Sequence, residues 1–102
     1  MKVFINAGHG GKDCGAVSKT GTLEKDITRR VAGFLVQMLI VKGYDVEFFQ
    51  QKKELEDVIK AERNSNSHLF ISLHCNAATN DKANGVETFY YQGSGTGEAL
   101  AR

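Results

Sequence analysis

The residues of this sequence best suited to chemistry are His9, Glu24 and His74. His9 sits in the run Gly8-His9-Gly10-Gly11, Glu24 opens a long stretch of helical periodicity, and His74 closes the apolar run Leu69-Phe70-Ile71-Ser72-Leu73. Two imidazoles and one carboxylate form a known zinc set for hydrolysis, because they leave a fourth coordination position for water. The third histidine, His68, precedes the apolar run and should lie at the opposite end of that strand. Rival arrangements are weaker. Cys14 and Cys75 could join the histidines in a closed site, but Cys75 neighbours His74, and adjacent residues on an extended segment point to opposite faces. The glycines Gly8, Gly10, Gly11 and Gly15 lack the Gly-Lys-Ser/Thr of a phosphate loop, and Asp13 stands where a dinucleotide fingerprint needs its last glycine. No Gly-x-Ser-x-Gly elbow is present for a serine hydrolase.

The elements that must carry these residues follow from periodicity. Lys2–Asn6 reads as a strand, and Ala7–Gly21 as a glycine-rich loop in which Gly10 and Gly11 let the backbone fold tightly enough to turn the His9 ring inward. Leu23–Val41 has helical spacing, with Gly43 where a helix C-terminus ends. Asp45–Phe49 reads as a strand, Glu54 to about Ser65 as a helix, and Leu69–Leu73 as a strand buried on both faces. Thr79–Asn84 reads as a polar loop, Val86–Tyr91 as a further strand, Gly93–Gly97 as a flexible turn, and Gly97–Arg102 as the start of a helix. Alternating strands and helices predict an α/β fold: a single domain with a mostly parallel twisted sheet flanked by helices.

In such a sheet ligands bind beyond the carboxyl ends of the strands. His9, His74 and the first turn of the helix bearing Glu24 all belong at that edge. On the helix, Ile27, Val31, Leu35 and Met38 fall within about 60° of Glu24, so Glu24 heads the apolar stripe that should face the sheet. An inward carboxylate is costly unless paired or bound to metal; the alternative is that it only complements the helix dipole.

Composition excludes several classes. The chain of 102 residues fits one domain, with 41% apolar and 25% charged residues. A net charge of +1 gives no field for nucleic acid or anionic lipid. No apolar run approaches the ~20 residues of a membrane span, and Lys2-Val3-Phe4-Ile5 is too short for the core of a signal peptide. An export signal is therefore not expected within this sequence. Two cysteines cannot form a disulfide framework; free thiols are the simpler reading, with one bridge as the alternative.

Three segments, in order, carry a family resemblance. Ile5-Asn6-Ala7-Gly8-His9-Gly10-Gly11-Lys12-Asp13-Cys14-Gly15-Ala16 resembles the Gly-His-Gly-Gly-x-Asp-x-Gly-Ala segment of zinc-dependent N-acetylmuramoyl-L-alanine amidases. Leu23-Glu24-Lys25-Asp26 is similar to the segment with that family's glutamate ligand, and Phe70-Ile71-Ser72-Leu73-His74-Cys75-Asn76-Ala77 to its Ile-Ser-x-His-x-Asn-Ala segment. Gly85-Val86-Glu87-Thr88-Phe89-Tyr90-Tyr91 resembles the strand that follows.

The resemblance implies that residues 1–102 are the N-terminal, zinc-binding portion of an amidase catalytic domain, with Zn2+ on His9, Glu24 and His74. It implies a peptidoglycan or muropeptide substrate, cut at the amide between N-acetylmuramic acid and L-alanine, and action at the cell wall, outside the cytoplasm. Asn76 would contact substrate or serve as a turn residue, and Asp13 would support the site or simply form an Asx turn. The sequence departs from the family at Cys14, often proline, at His68, often aspartate, and at Phe48-Phe49-Gln50, where a Thr-Arg pair is common. The family's general-base glutamate would lie beyond Arg102; neither Glu87 nor Glu98 matches it. A shortened domain should expose an edge and an apolar face that favour self-association. The alternative reading is a catalytically incomplete, zinc-containing muropeptide-binding module.

Overall fold

The computed structural model describes residues 1–75, 85–90 and 93–101. Its element order is β1 (Lys2–Ala7), α1 (Glu24–Val41), β2 (Asp45–Gln50), α2 (Leu55–Ser65), β3 (Leu69–Leu73) and α3 (Gly95–Ala101). The strands form one parallel sheet in the order β2-β1-β3, with Lys2 beside Asp45 and Val3 beside Leu69. This is the α/β architecture that the alternating pattern predicts.

The core follows the two-residue period of β1. Val3, Ile5 and Ala7 pack under Ala32 of α1, joined by Leu35, Val36, Leu39, Val46, Leu69, Ile71 and Leu73. On the other face Phe4 stacks on Phe70 at 5.6 Å and meets Phe49 at 6.4 Å. Burial on both faces therefore belongs to β1, the central strand. The expectation that β3 is buried on both faces is not met: Phe70 is 44% exposed, because β3 has a single sheet neighbour, β1, among the described residues.

α1 also presents a different stripe from the one expected. Glu24, Thr28 and Ala32 are its buried residues. Ile27, Val31 and Met38 are exposed by 39%, 49% and 59%. The helix is rotated so that small Ala32 and hydrogen-bonding Thr28 lie closest to the sheet, and Thr28 Oγ1 donates to the Gly8 carbonyl at 2.7 Å. At its far end Gly43 adopts φ 93°, donating to Ile40 while Tyr44 donates to Leu39, the paired bonds of a Schellman ending.

α2 starts where Asp57 turns back on its own N-terminus. Its Oδ2 accepts from the backbone N–H groups of Lys53 and Glu54, both at 3.0 Å. Asn66 ends the helix in the left-handed conformation.

Two expectations for the last segment fail. Residues 85–90 form no strand, and Tyr91 lies outside the described residues. Gly95–Gly97 belong to α3 instead of a turn, because Ser94 caps that helix: its Oγ accepts from Gly97 N–H at 3.0 Å and its carbonyl from Glu98 N–H. The polar loop read at Thr79–Asn84 lies outside the described residues. Among the described residues no helix is long and apolar enough to cross a membrane.

Candidate metal centre

The strands deliver two histidines to one edge. One residue past the end of β1, Gly8 N–H donates to the carbonyl of Leu73, the last residue of β3, at 2.8 Å. The ladder thus runs one step past β1, bringing the next residues, His9 and His74, side by side. Their rings meet edge to face with centroids 5.0 Å apart. His68 lies at the opposite end, where its Nδ1 accepts from Lys2 N–H at 3.0 Å.

The same loop sets the start of α1. No side chain caps this helix. Instead the carbonyls of Ala16 and Cys14 accept from the N–H groups of Glu24 and Lys25 at 2.9 and 3.1 Å, satisfying donors that a first turn leaves free. The loop leaving β1 therefore fixes which residue opens α1, and that residue is Glu24. Close packing makes glycine necessary here: a Cβ at Gly15 would stand 2.6 Å from the His9 ring and 2.8 Å from Glu24 Oε1, and a Cβ at Gly10 or Gly11 would strike the carbonyls of Gln51 or Lys52.

Glu24 is 4% exposed. Its Oε1 accepts from Ala16 N–H at 3.0 Å and its Oε2 from Cys75 N–H at 2.8 Å. Oε2 also lies 3.3 Å from His9 Nε2 and 3.3 Å from His74 Nδ1. Burial by itself would push this carboxyl's pKa up. The backbone donors of Ala16 and Cys75, aided by the two histidines, outweigh it and hold the group below the usual glutamate range. His9, Glu24 and His74 form a cluster able to hold a metal ion, with one ligand atom from each lying within 4.8 Å of the others.

The remaining candidates separate. Asp13 makes the Asx turn, its Oδ1 accepting from Gly15 N–H at 3.1 Å, and its Oδ2 also lies 3.0 Å from His9 Nδ1. Cys14 and Cys75 are free thiols, and neither joins the cluster. Burial, followed by the nearby Glu24 carboxylate, raises the Cys75 pKa, so its thiol stays protonated at neutral pH. Asn76 lies outside the described residues, and Glu87 is exposed and outside the cluster.

Sequence reading missed two features. Gln51, 7% exposed, donates from Nε2 to Asp13 Oδ2 at 3.3 Å. Asn6 and Ser72, on neighbouring strands, share a 2.9 Å hydrogen bond. Polar residues at even positions of otherwise apolar strands were the signal for the second. All three line a cavity of about 720 Å³ beside α2 that reaches His9 and His74, with Leu55, Val58, Ile59 and Phe70 as its apolar wall.

An α/β sheet with two histidines and an inward glutamate at the carboxyl edge defines a class of candidate metal-dependent hydrolase. The family described as N-acetylmuramoyl-L-alanine amidase matches residues 3–102, and the chain belongs to it. It is 29% identical over 103 residues to N-acetylmuramoyl-L-alanine amidase AmiA of Escherichia coli K12, covering 98% of this chain and 36% of that protein. It is 32% identical over 117 residues to the germination-specific N-acetylmuramoyl-L-alanine amidase of Bacillus subtilis 168, covering 98% of this chain and 49% of that one. The solved structure of the amidase AmiC2 of Nostoc punctiforme superposes with a TM-score of 0.86 at 32% identity, over 99% of this chain and 57% of the other. The chain thus spans about a third to a half of the curated relatives' length.

Proposed function

We propose that residues 1–102 are the zinc-binding portion of a peptidoglycan amidase domain that cleaves the amide between N-acetylmuramic acid and L-alanine of the stem peptide. The observation that carries this is the approach of His9 Nε2 and His74 Nδ1 to one carboxylate oxygen of Glu24, 3.3 Å each, in a chain of the amidase family. Four ligands at tetrahedral zinc bond lengths of about 2.0–2.1 Å stand roughly 3.3–3.4 Å from one another, so those two spacings fit the ion. They also suit a hydrogen-bonded ion pair poorly, since N–H to carboxylate bonds run about 2.7–2.9 Å. The donor set leaves one tetrahedral position open for water or substrate.

Bound there, zinc would polarise the scissile carbonyl and lower the pKa of water. The chain's own groups hold the geometry. Ala16 and Cys75 N–H fix the Glu24 carboxylate, and the Gly8–Leu73 bond keeps the histidines adjacent. The cavity beside α2 offers an apolar wall and the Asn6–Ser72 pair next to the histidines, a surface suited to part of a muropeptide. Asn76, two residues past His74, is a further candidate for substrate contact. The site of action is the cell wall.

A second reading, a zinc-holding muropeptide-binding module without turnover, has one observation in its favour. Glu24 is the only carboxylate in the metal-capable cluster among the described residues, which identifies no separate general base there. A general base typically contributes a further 10²–10⁴-fold.

Two assays test the proposal. Elemental analysis of metal-repleted protein should give one zinc per chain, lost in His74→Ala and strongly weakened in Glu24→Gln but not in Asp26→Asn. Undiminished zinc in both His9→Ala and His74→Ala would overturn the site. Release of L-alanine amino termini from purified cell walls then separates enzyme from binding module, which would hold muropeptide and zinc without release.

A further inference from the structure

His9 and His74 approach Glu24 through different ring nitrogens, Nε2 for His9 and Nδ1 for His74. For His9 this leaves Nδ1 facing away from the cluster, 3.0 Å from Asp13 Oδ2. An ionised carboxylate only accepts hydrogen bonds, so in the neutral ring the shorter contact, to Asp13, takes the proton on Nδ1, and Nε2, 3.3 Å from Glu24 Oε2, keeps its lone pair. An aspartate side chain, with an ordinary pKa of about 3.9, is a carboxylate at neutral pH.

The turn alone does not explain this carboxylate. Oδ1 by itself accepts from Gly15 N–H, and the turn is also held by backbone bonds between Gly10 and Asp13 in both directions, 2.8 and 3.0 Å. Oδ2 is left for His9, and it is steadied by a second donor, Nε2 of the buried Gln51 from the segment joining β2 to α2. A chain of three side chains thus runs from that segment to one face of the cluster.

We propose that Asp13, braced by Gln51, is a positioning residue that locks His9 in the tautomer with its proton on Nδ1, so that Nε2 is offered to the metal. This rests on the metal-centre reading above. The hydrogen bond on one imidazole nitrogen decides which nitrogen is free to bind metal, and removing such a partner typically lowers affinity about 10–100-fold. Among the described residues no second carboxylate meets the His74 ring, so the effect should fall on His9 alone.

The test uses Asp13→Ser, whose hydroxyl can still close the turn on Gly15 but is too short to hold the ring. Long-range proton–nitrogen correlation spectra of the metal-free protein, taken where both rings are neutral, report each tautomer directly. Wild type should show His9 with its proton on Nδ1. In Asp13→Ser that population should fall while His74 keeps its own, and zinc affinity, measured by competition with a chromophoric chelator, should drop about 10–100-fold. Should Asp13→Ser fail to fold, Gln51→Leu carries the same readouts, in the same direction at smaller amplitude. An unchanged His9 tautomer overturns the proposal, as does a shifted tautomer with zinc affinity within about twofold of wild type. A wild-type chain that takes up no zinc removes the metal-centre reading instead, and the spectra of the metal-free protein still decide whether Asp13 sets the His9 tautomer.

Discussion

Under α1, the odd-numbered residues Val3, Ile5 and Ala7 of β1 are sealed against Ala32 with no polar group among them, whereas on the opposite face Asn6 joins Ser72 in the floor of a cavity beside α2. The same six residues of β1 supply both surfaces, because successive side chains on a strand point to opposite faces. One face is closed and aliphatic. The other combines an aromatic trio, Phe4, Phe49 and Phe70, with polar residues that lead toward His9 and His74. A short parallel sheet can therefore give one face to stability and the other to ligand, with the metal-capable cluster beyond the strand ends where both faces meet.

The largest expected effect lies on the closed face. Ile5→Ala removes a fully buried side chain and should cost about 2–5 kcal/mol in chemical denaturation. On the open face Phe70→Ala should cost less, about 1–2 kcal/mol, since the ring is already 44% exposed and loses chiefly its stacking on Phe4. Equal costs for the two variants would erase the contrast between the faces.

The smallest effect belongs to the helix that walls the cavity. Asp57 has its pKa held down by the backbone N–H groups of Glu54 and Lys53. A carboxyl depressed in the folded state stabilises it above the unfolded pKa, and that stabilisation disappears as pH falls through the folded value. The stability gap between wild type and Asp57→Ala should thus be full at neutral pH and close as acid titrates the group, below its ordinary value of 3.8. A gap independent of pH would mean that Asp57 acts on α2 by something other than its charge.

Much of this was legible in the sequence, for identifiable reasons. Helix and strand periods located β1, α1, β2, α2 and β3 to within a residue or so, and the rule that ligands sit beyond the carboxyl ends of strands brought His9, Glu24 and His74 to one edge. Glu24 was read as inward and is buried. The stripe below it was misjudged because hydrophobicity favours Ile27, Val31 and Met38, while the sheet receives the helix through Thr28 and small Ala32, chosen by close approach and by the bond to Gly8. Burial of β3 was overstated because an apolar run does not reveal how many neighbours a strand has. The strand read at Val86–Tyr91 rested on β-propensity, which needs a pairing partner, and residues 85–90 have none among the described residues. Gln51 was illegible. Nothing in its sequence context marks a side chain that reaches 38 positions back to Asp13.

The backbone at His9 has a consequence of its own. Its φ is 63°, and Asn66, at the end of α2, is the only other non-glycine residue with positive φ among those described. For a residue with a side chain this conformation costs about 1–3 kcal/mol, and glycine is the residue that adopts it freely. The amino acid that would suit this turn best is therefore one that offers no ring to a metal. The loop holds His9 against its local preference through the Gly10–Asp13 pairing and the carboxylate behind the ring. Strain of this kind makes the imidazole a loaded part: its direction is set before any ligand arrives, and little ordering is left for binding to do.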